Sequence, residues 1–461
     1  MTDAQDSRYI LVVTALTSFS STLATSAVVI ALPAIGKELT LNAVQLGWVA
    51  QAMVLASAIF VLPFGRLADI WGIRKVFAIG LVVATVSTLL AALSTSFLML
   101  ISLRVVQGIG LAMVYSTGVA LLTSSYPLAE RGKVLGINMA AIYVGLSLGP
   151  TIGGILTQNL GWRSIFFLSF ALLLPALAIL FTRVRREWAE AKGEKYDFIG
   201  SLLFCIMLFS LMYGFTLLPA TLGIWIILIG IIGLVAFIAW ELKVEAPIFN
   251  IHLLTRNRLF AFSALTQLMY HISIFSVSFI LSLYLQYIRG FSPQNAGFVL
   301  LAQPVIQAAL APIGGRISDR VQPRIIASVG LAIGLVGLLL LLYSTGGTAL
   351  LLIIISLVLL GSGAAFFAPP NANAIMSSVE KRQFGVASAI ESVTRSTGQT
   401  FSMAILMLLF SLHMGTAQIT PQYYPAFTES IRMAILIFAG FCFCSIFVSA
   451  ARGKLVSTPH S

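Results

Sequence analysis

The length of the apolar stretches constrains this chain more than any other feature. Between about residue 10 and residue 450 the sequence falls into blocks with few or no charges, each near the ~20 residues that a helix needs to cross a bilayer. Hydrocarbon offers no hydrogen-bond partners, so each block must satisfy its own N–H and C=O groups, and a helix does this within the block. Hydrophobic residues make up 59% of the 461 and Asp, Glu, Lys and Arg only 9%, against about 25% charged in soluble domains. A chain this poor in charge cannot furnish a water-facing surface. The alternation expected of a membrane β-barrel is absent. Fourteen blocks predict an all-α polytopic membrane protein with both termini on one face. The first, Tyr9 to Pro33, is too long for a signal-peptide core and follows Asp3, Asp6 and Arg8, so it is expected to be a retained span. Cys205, Cys442 and Cys444 lie inside apolar blocks without metal-ligand spacing and read as small packing residues.

The net charge of +12 is explained by where the 27 Lys and Arg residues fall. Arg66, Arg74, Lys75, Arg131, Lys133, Arg183, Arg185, Arg186 and most others sit on the face of the termini; Lys37, Arg163, Arg289 and Arg432 sit opposite. The positive-inside rule then places both termini in the cytoplasm. The surplus is a topology signal, and no nucleic-acid partner is expected.

One short loop occurs twice. Gly65-Arg66-Leu67-Ala68-Asp69 follows span 2 and leads through Arg74 into span 3; Gly315-Arg316-Ile317-Ser318-Asp319-Arg320 follows span 10, 250 residues on. A repeated loop after the second span of each unit indicates a duplicated transporter. The expected organisation is a six-helix bundle over 1–182, a charged linker over 183–197, two inserted helices over 198–245 and a second six-helix bundle over 246–461. The linker is expected to be solvated, and the inserted pair to face lipid.

The loop GRLADIWGIRK is similar to the signature between spans 2 and 3 of the major facilitator superfamily. ISLRVVQGIGLA resembles that superfamily's span-4 arginine motif, through Arg104, Gln107, Gly108 and Gly110. GLSLGPTIGG resembles its antiporter motif, through Gly145, Gly149, Pro150, Gly153 and Gly154. With fourteen spans, the chain resembles the drug:proton antiporters of that superfamily. The resemblance implies the major facilitator fold, a multi-pass cell-membrane location, and proton-coupled efflux of small amphipathic compounds by alternating access. It implies a monomer that meets substrate, protons and lipid, with no cofactor and no metal. The chain departs from the pattern at Ile70 and Ile73, and at Ala24 and Val29, where relatives carry Asp and Asn in span 1.

Several residues are candidates for the chemistry. Gly65, Asp69 and Arg74, with Gly315, Asp319 and Arg320, could form a gate on the terminal face, since a carboxylate before a helix accepts its free N–H groups. Gly149-Pro150 kinks span 5 and lets a neighbour approach, either as packing or as a seal. Arg104, about 10 Å into span 4, must find an acceptor inside the bundle or snorkel outward. His271 lies near mid-membrane and suits proton binding, or a bond to a neighbouring helix. Glu391 and Arg395 are spaced for an ion pair, structural or coupling. Ser18, Thr22, Thr25, Gln107, Met113, Gln267, Tyr270 and Phe366 are candidate cavity lining; helix-to-helix bonding is the alternative for the hydroxyls. Asn371, after Pro369-Pro370, reads as a helix stop at the cavity mouth. No HExxH, nucleophile elbow or phosphate-cradling loop is present, so neither an enzyme nor ATP-driven transport is expected. A dedicated exporter or exchanger of one metabolite or lipid-like molecule, not driven by protons, is the alternative function.

Overall fold

The structure is a computed structural model that describes residues 3–453 apart from 190, 245–247, 249–254, 256, 319–320, 344–349 and 380–383. It contains fourteen helices long and apolar enough to cross a membrane. They are α1 (Asp3–Glu38), α2 (Ala43–Trp71), α3 (Ile73–Ala92), α4 (Phe97–Ser125), α5 (Leu128–Leu160), α6 (Arg163–Arg183), α7 (Phe198–Leu217) and α8 (Thr221–Glu241). Next come α9 (Arg258–Leu283, extended by a π turn over Tyr284–Ile288) and α10 (Pro293–Leu300, resuming after Leu301 as Ala302–Ser318). Last are α11 (Pro323–Tyr343), α12 (Leu350–Ser377), α13 (Phe384–Met414) and α14 (Tyr424–Ala451). Short turns suffice between them. Asn42 and Gln45 bond reciprocally to each other's backbone and start α2 directly after α1.

The packing repeats with a period of eight helices. In the first set, α1 lies on α5 and α6, α2 on α4, and α3 on α4 and α6. In the second, α9 lies on α13 and α14, α10 on α12, and α11 on α12 and α14. Gly80 and Gly330 keep the 250-residue offset of the repeated loop inside the helices, and each meets a glycine of a neighbouring helix. A Cβ on Gly110 would meet Gly80 O of α3 at 2.8 Å, and one on Gly330 would meet Gly363 O of α12 at 2.7 Å. In a membrane such backbone approach supplies the packing that the hydrophobic effect supplies in water.

The sets meet through α2 on α13, α5 on α10, and α1 on α9. Away from the termini their apolar cores merge: Ile30, Ile35, Leu46, Leu283, Leu300 and Met407 belong to one cluster. Ser282 Oγ donates to Val29 O (2.8 Å), Gln286 Nε2 to Ile30 O (3.0 Å) and Gln418 Nε2 to Thr40 O (3.0 Å). A Cβ on Gly154 would meet Pro293 O at 2.5 Å, and one on Gly297 would strike Pro150 O. Toward the termini the cores separate, one around Phe77 and Leu121, another around Phe260 and Ile390. The bundle is sealed on the face opposite the termini and divided on the terminal face.

Two expectations are corrected. The inserted pair is not merely lipid-facing. Although α8 is largely exposed, α7 bridges the seam between the sets: Phe204 and Met207 pack with Ile59 of α2 and Val393 of α13. Trp48 packs at a tilt on Tyr213 and Phe401 edge-on against Phe215, with ring centroids 5.8 and 5.5 Å apart.

Nor is the linker simply solvated. Ile73 N–H donates to Trp188 O (2.8 Å), Ala191 N–H to Asp69 O (3.0 Å), Arg74 N–H to Glu187 Oε1 (2.8 Å) and Arg74 Nε to Val184 O (2.7 Å). Arg66 pairs with Glu194 at 2.6 Å. The segment clasps the α2–α3 turn.

Two outcomes follow from these contacts. Glu187→Ala removes a charged acceptor of the clasp, worth about 1.5–3 kcal/mol for a bond to an ionised group and less with partial exposure. Trypsin should then cut at Lys192 several-fold faster than in the parent protein; an unchanged rate contradicts the clasp. Gly297→Leu should prise α10 from α5. With the three native cysteines replaced by serine, a Ser282→Cys label site should then react with an impermeant maleimide from the face opposite the termini, whereas without Gly297→Leu it should stay protected.

Candidate functional site

Where the sets part, polar side chains gather at mid-depth. At 1.5 Å of rise per residue, Tyr115 and Arg395 lie about 15–17 Å from the terminal ends of their helices, and His271 and Tyr143 about 20–22 Å. Tyr115 and Tyr143 come from α4 and α5 of the first set; His271 and Arg395 come from α9 and α13 of the second. Arg395 is within electrostatic range of all three others, and Glu391 of Tyr143. Gly398, one turn beyond Arg395, sits on α9 so closely that a Cβ would lie 2.8 Å from His271 Cβ. His271 Nδ1 is 2.9 Å from Gln267 O, and its ring meets Tyr270 edge-on at 5.1 Å. Tyr115, 41% exposed, is within hydrogen-bonding reach of Ser21.

The expected ion pair between Glu391 and Arg395 does not form. Arg395 instead has Ser392 Oγ at 3.4 Å on its own helix. The i,i+4 spacing brings the two Cβ atoms near one another, but the side chains diverge. Both are partly exposed.

Arg104 is 1% exposed and points inward. Its guanidinium donates to Val49 O (3.2 Å), Met53 Sδ (3.3 Å) and Gln107 Oε1 (3.0 Å), while Gln107 Nε2 donates to Thr88 Oγ1 (2.7 Å). Neutral acceptors therefore hold this cation, and its second terminal nitrogen has no partner. Beside Gln107 a void of about 10 Å³ is lined by Ser20, Ser21, Ala24, Met53 and Thr88, close to the room one water needs. Ala24 borders it.

The second set holds a polar network that the sequence did not disclose. Arg452, just past α14, is 1% exposed and donates to Asn371 Oδ1 (2.8 Å) and Pro323 O (2.8 Å). Asn371 Nδ2 donates to Gln267 Oε1 at 3.0 Å. Asn371 is thus no helix stop at a cavity mouth: α12 runs on to Ser377 through both prolines, and Asn371 is fully buried. Gln267 and Tyr270 face this interior, the latter over Phe367 at 4.2 Å between centroids. Phe366 is half-buried beside the α11–α12 crossing, where Gly330 approaches its carbonyl carbon.

Other candidates fall at helix contacts. Ser18 Oγ donates to Asn138 Oδ1 (3.1 Å), and Thr22 and Thr25 bond back to Ser18 O and Ser21 O. On α5, Gly145 meets Thr22, Gly149 meets Ser26 and Gly153 meets Ala27, which knits α5 to α1. Gly154 and Pro150 face α10 instead. Met113 packs on Gly80 of α3. Gly65 lies beside Ser116, Asp69 and Arg74 are held by the linker, and Gly315 is near Pro369. Asp319 and Arg320 fall outside the described residues. Among the described residues no three His, Cys, Asp or Glu side chains come together as a metal site would require.

Tyr115 and Tyr143 were missed. One signal was available for Tyr115: Arg104, Gln107, Leu111 and Tyr115 step by three, four and four residues along one face of α4. Nothing comparable singles out Tyr143.

The family model for the Major Facilitator Superfamily matches residues 14–241 and 263–459. The riboflavin transporter RibZ of Clostridioides difficile is 27% identical over 95% of this chain and 96% of its own length. The multidrug resistance protein Stp of Mycobacterium tuberculosis is 28% identical over 92% of this chain and 80% of its own. Among solved structures, an inward-facing, unoccupied bacterial homolog of the human lysosomal transporter Spinster superposes with a TM-score of 0.67 at 17% identity, over 98% of both chains. A peptide transporter POT in complex with sulfate gives 0.71 at 14% identity, over 98% of this chain and 96% of that one. The repeated six-helix packing, the inserted pair and these matches agree: the chain is a transporter, not an enzyme, and belongs to the Major Facilitator Superfamily.

Proposed function

We propose that this transporter exports small amphipathic organic compounds by alternating access, driven by inward proton flow, with its terminal face in the cytoplasm. The observation that carries this reading is the contrast between the two faces. A merged apolar core seals one, while polar groups from both sets gather where the other divides. Substrate would enter from the terminal side and meet Tyr115, Tyr143, His271, Glu391 and Arg395. Rocking of one set against the other would close that side and part α5 from α10, since packed interfaces switch between discrete arrangements. The bundle organisation over 1–182, 198–245 and 246–461 belongs to the same proposal, with 183–197 holding the α2–α3 turn.

Proton coupling is assigned to His271 and Glu391 in place of the absent span-1 carboxylate. Imidazole titrates near pH 6.5 in water, and both side chains lie beside the unpaired Arg395, whose charge their protonation would alter. The multidrug resistance protein Stp supports a broad substrate range. RibZ supports the second reading, a dedicated exporter or exchanger of one metabolite, because its match spans nearly both whole chains.

Vesicle transport decides between them. In proteoliposomes with an imposed pH gradient, the protein should accumulate substrate and dissipate the gradient together. His271→Ala and Glu391→Gln should each lower gradient-driven uptake about ten-fold or more while exchange without a gradient persists. Full gradient-driven uptake in both variants contradicts the assignment, and uptake indifferent to the gradient in the parent protein favours the dedicated exchanger. Asp69→Asn should reach the membrane in normal amount yet turn over several-fold more slowly; an unchanged rate removes the α2–α3 turn from the gate.

A further inference from the structure

On the second set, the charged or titratable side chains near Tyr115 and Tyr143 are His271 on α9 and Glu391 and Arg395 on α13. Glu391 is about 6 Å nearer the terminal face than Arg395 along the helix and makes no ion pair with it. Arg104 is committed to Val49, Met53 and Gln107. Arg395 has only the Ser392 hydroxyl at 3.4 Å and is partly exposed.

A guanidinium presents five donors in a planar fork that matches an oxyanion. A guanidinium within a membrane span that makes no ion pair is costly and marks a functional position. Around Arg395 the other set supplies Tyr115 and Tyr143, both within its electrostatic range. Phenol rings offer flat contact area and a hydroxyl donor at once. Nothing described at this level offers a second carboxylate to a cation. At an effective dielectric of about 20, a guanidinium at ~4 Å from an oxyanion outweighs a carboxylate at ~8 Å by more than ten-fold in binding.

We propose that Arg395 anchors an oxyanion subsite, so that the compounds carried are planar aromatics bearing a carboxylate, sulfonate or phenolate, their rings against Tyr115 and Tyr143. This rests on the reading of the divided region as the transport cavity. It reverses the charge preference expected of an exporter with an acidic residue in span 1. Ala24 in that place and Arg395 at the centre have one consequence: the cavity selects for negative charge.

The test compares two xanthene dyes of similar shape and opposite charge, fluorescein and tetramethylrhodamine methyl ester. Each is bound to the full-length protein in nanodiscs, followed by anisotropy, and each is offered to proteoliposomes. Fluorescein should bind at least ten-fold more tightly than the rhodamine ester and be transported. Arg395→Gln should weaken fluorescein at least ten-fold and leave the rhodamine ester unchanged or tighter, and Arg395→Lys should keep the sign of the preference. Tyr143→Phe, a milder change, should lower fluorescein affinity several-fold. If the parent protein binds and moves the rhodamine ester but not fluorescein, the oxyanion subsite is wrong while the exporter stands. Fluorescein binding unaltered in a folded Arg395→Gln protein overturns the subsite as well. If neither dye binds or moves, both readings fall.

Discussion

Everything in this molecule turns on how closely two backbones can come together inside a membrane. Lipid is as apolar as leucine, so helices there gain nothing by hiding apolar side chains from water, and packing must come from contact. On the face opposite the termini, α5 and α10 meet through Pro150, Gly154, Pro293 and Gly297, with no side chain between them. Hydrogen bonds from Ser282 and Gln286 to the carbonyls of α1 add polar closure nearby. A seam made of backbone contact and a few hydrogen bonds is tight when closed and leaves little side-chain entanglement to undo. That property suits a protein whose two halves must part.

The same contact explains the division of labour on α5. Gly145, Gly149 and Gly153 repeat every four residues and face α1, so α5 is fixed within its own set. Pro150 and Gly154 lie on the neighbouring stripe and face the other set. One helix thereby carries a permanent interface and a reversible one side by side. The insert touches both sets as well: α7 lies across α2 and α13, and the linker before it grips the α2–α3 turn. In the proposed rocking, any movement of α2 relative to α13 would act on α7, so the insert would move with it.

Much of this was legible in the sequence, for a physical reason. Span number and the internal repeat depend on local composition and on short loops, which the chain displays directly. The glycines of α5 were legible through the resemblance of GLSLGPTIGG to a known motif and because glycine lets a neighbouring helix come near. What stayed hidden depends on distant partners. Arg452 reads as one more basic residue near a terminus, yet it lies buried because Asn371 and the Pro323 carbonyl, far away in the chain, give it acceptors. Asn371 after two prolines reads as a stop, but its amide is satisfied by Gln267 and Arg452, so the helix passes through. Glu391 and Arg395 have ion-pair spacing; spacing fixes only where the Cβ atoms stand, and Arg395 turns to Ser392 instead. The linker looks solvated because it is charged, whereas its charges and carbonyls find partners on the α2–α3 turn.

In the proposed transport cycle, the seal on one face and the opening on the other are alternatives. Spin-label distances test it most directly. One pair, at Asn159 and Gln294, spans the α5–α10 seam; the other, at Arg131 and Ser377, spans the two sets on the terminal face. Across changes of pH and added transported compound, alternating access gives two distance populations whose members are anticorrelated, the seam pair short when the terminal pair is long and the reverse. Distances that lengthen and shorten together, or a terminal pair that never changes while transport proceeds, would contradict it.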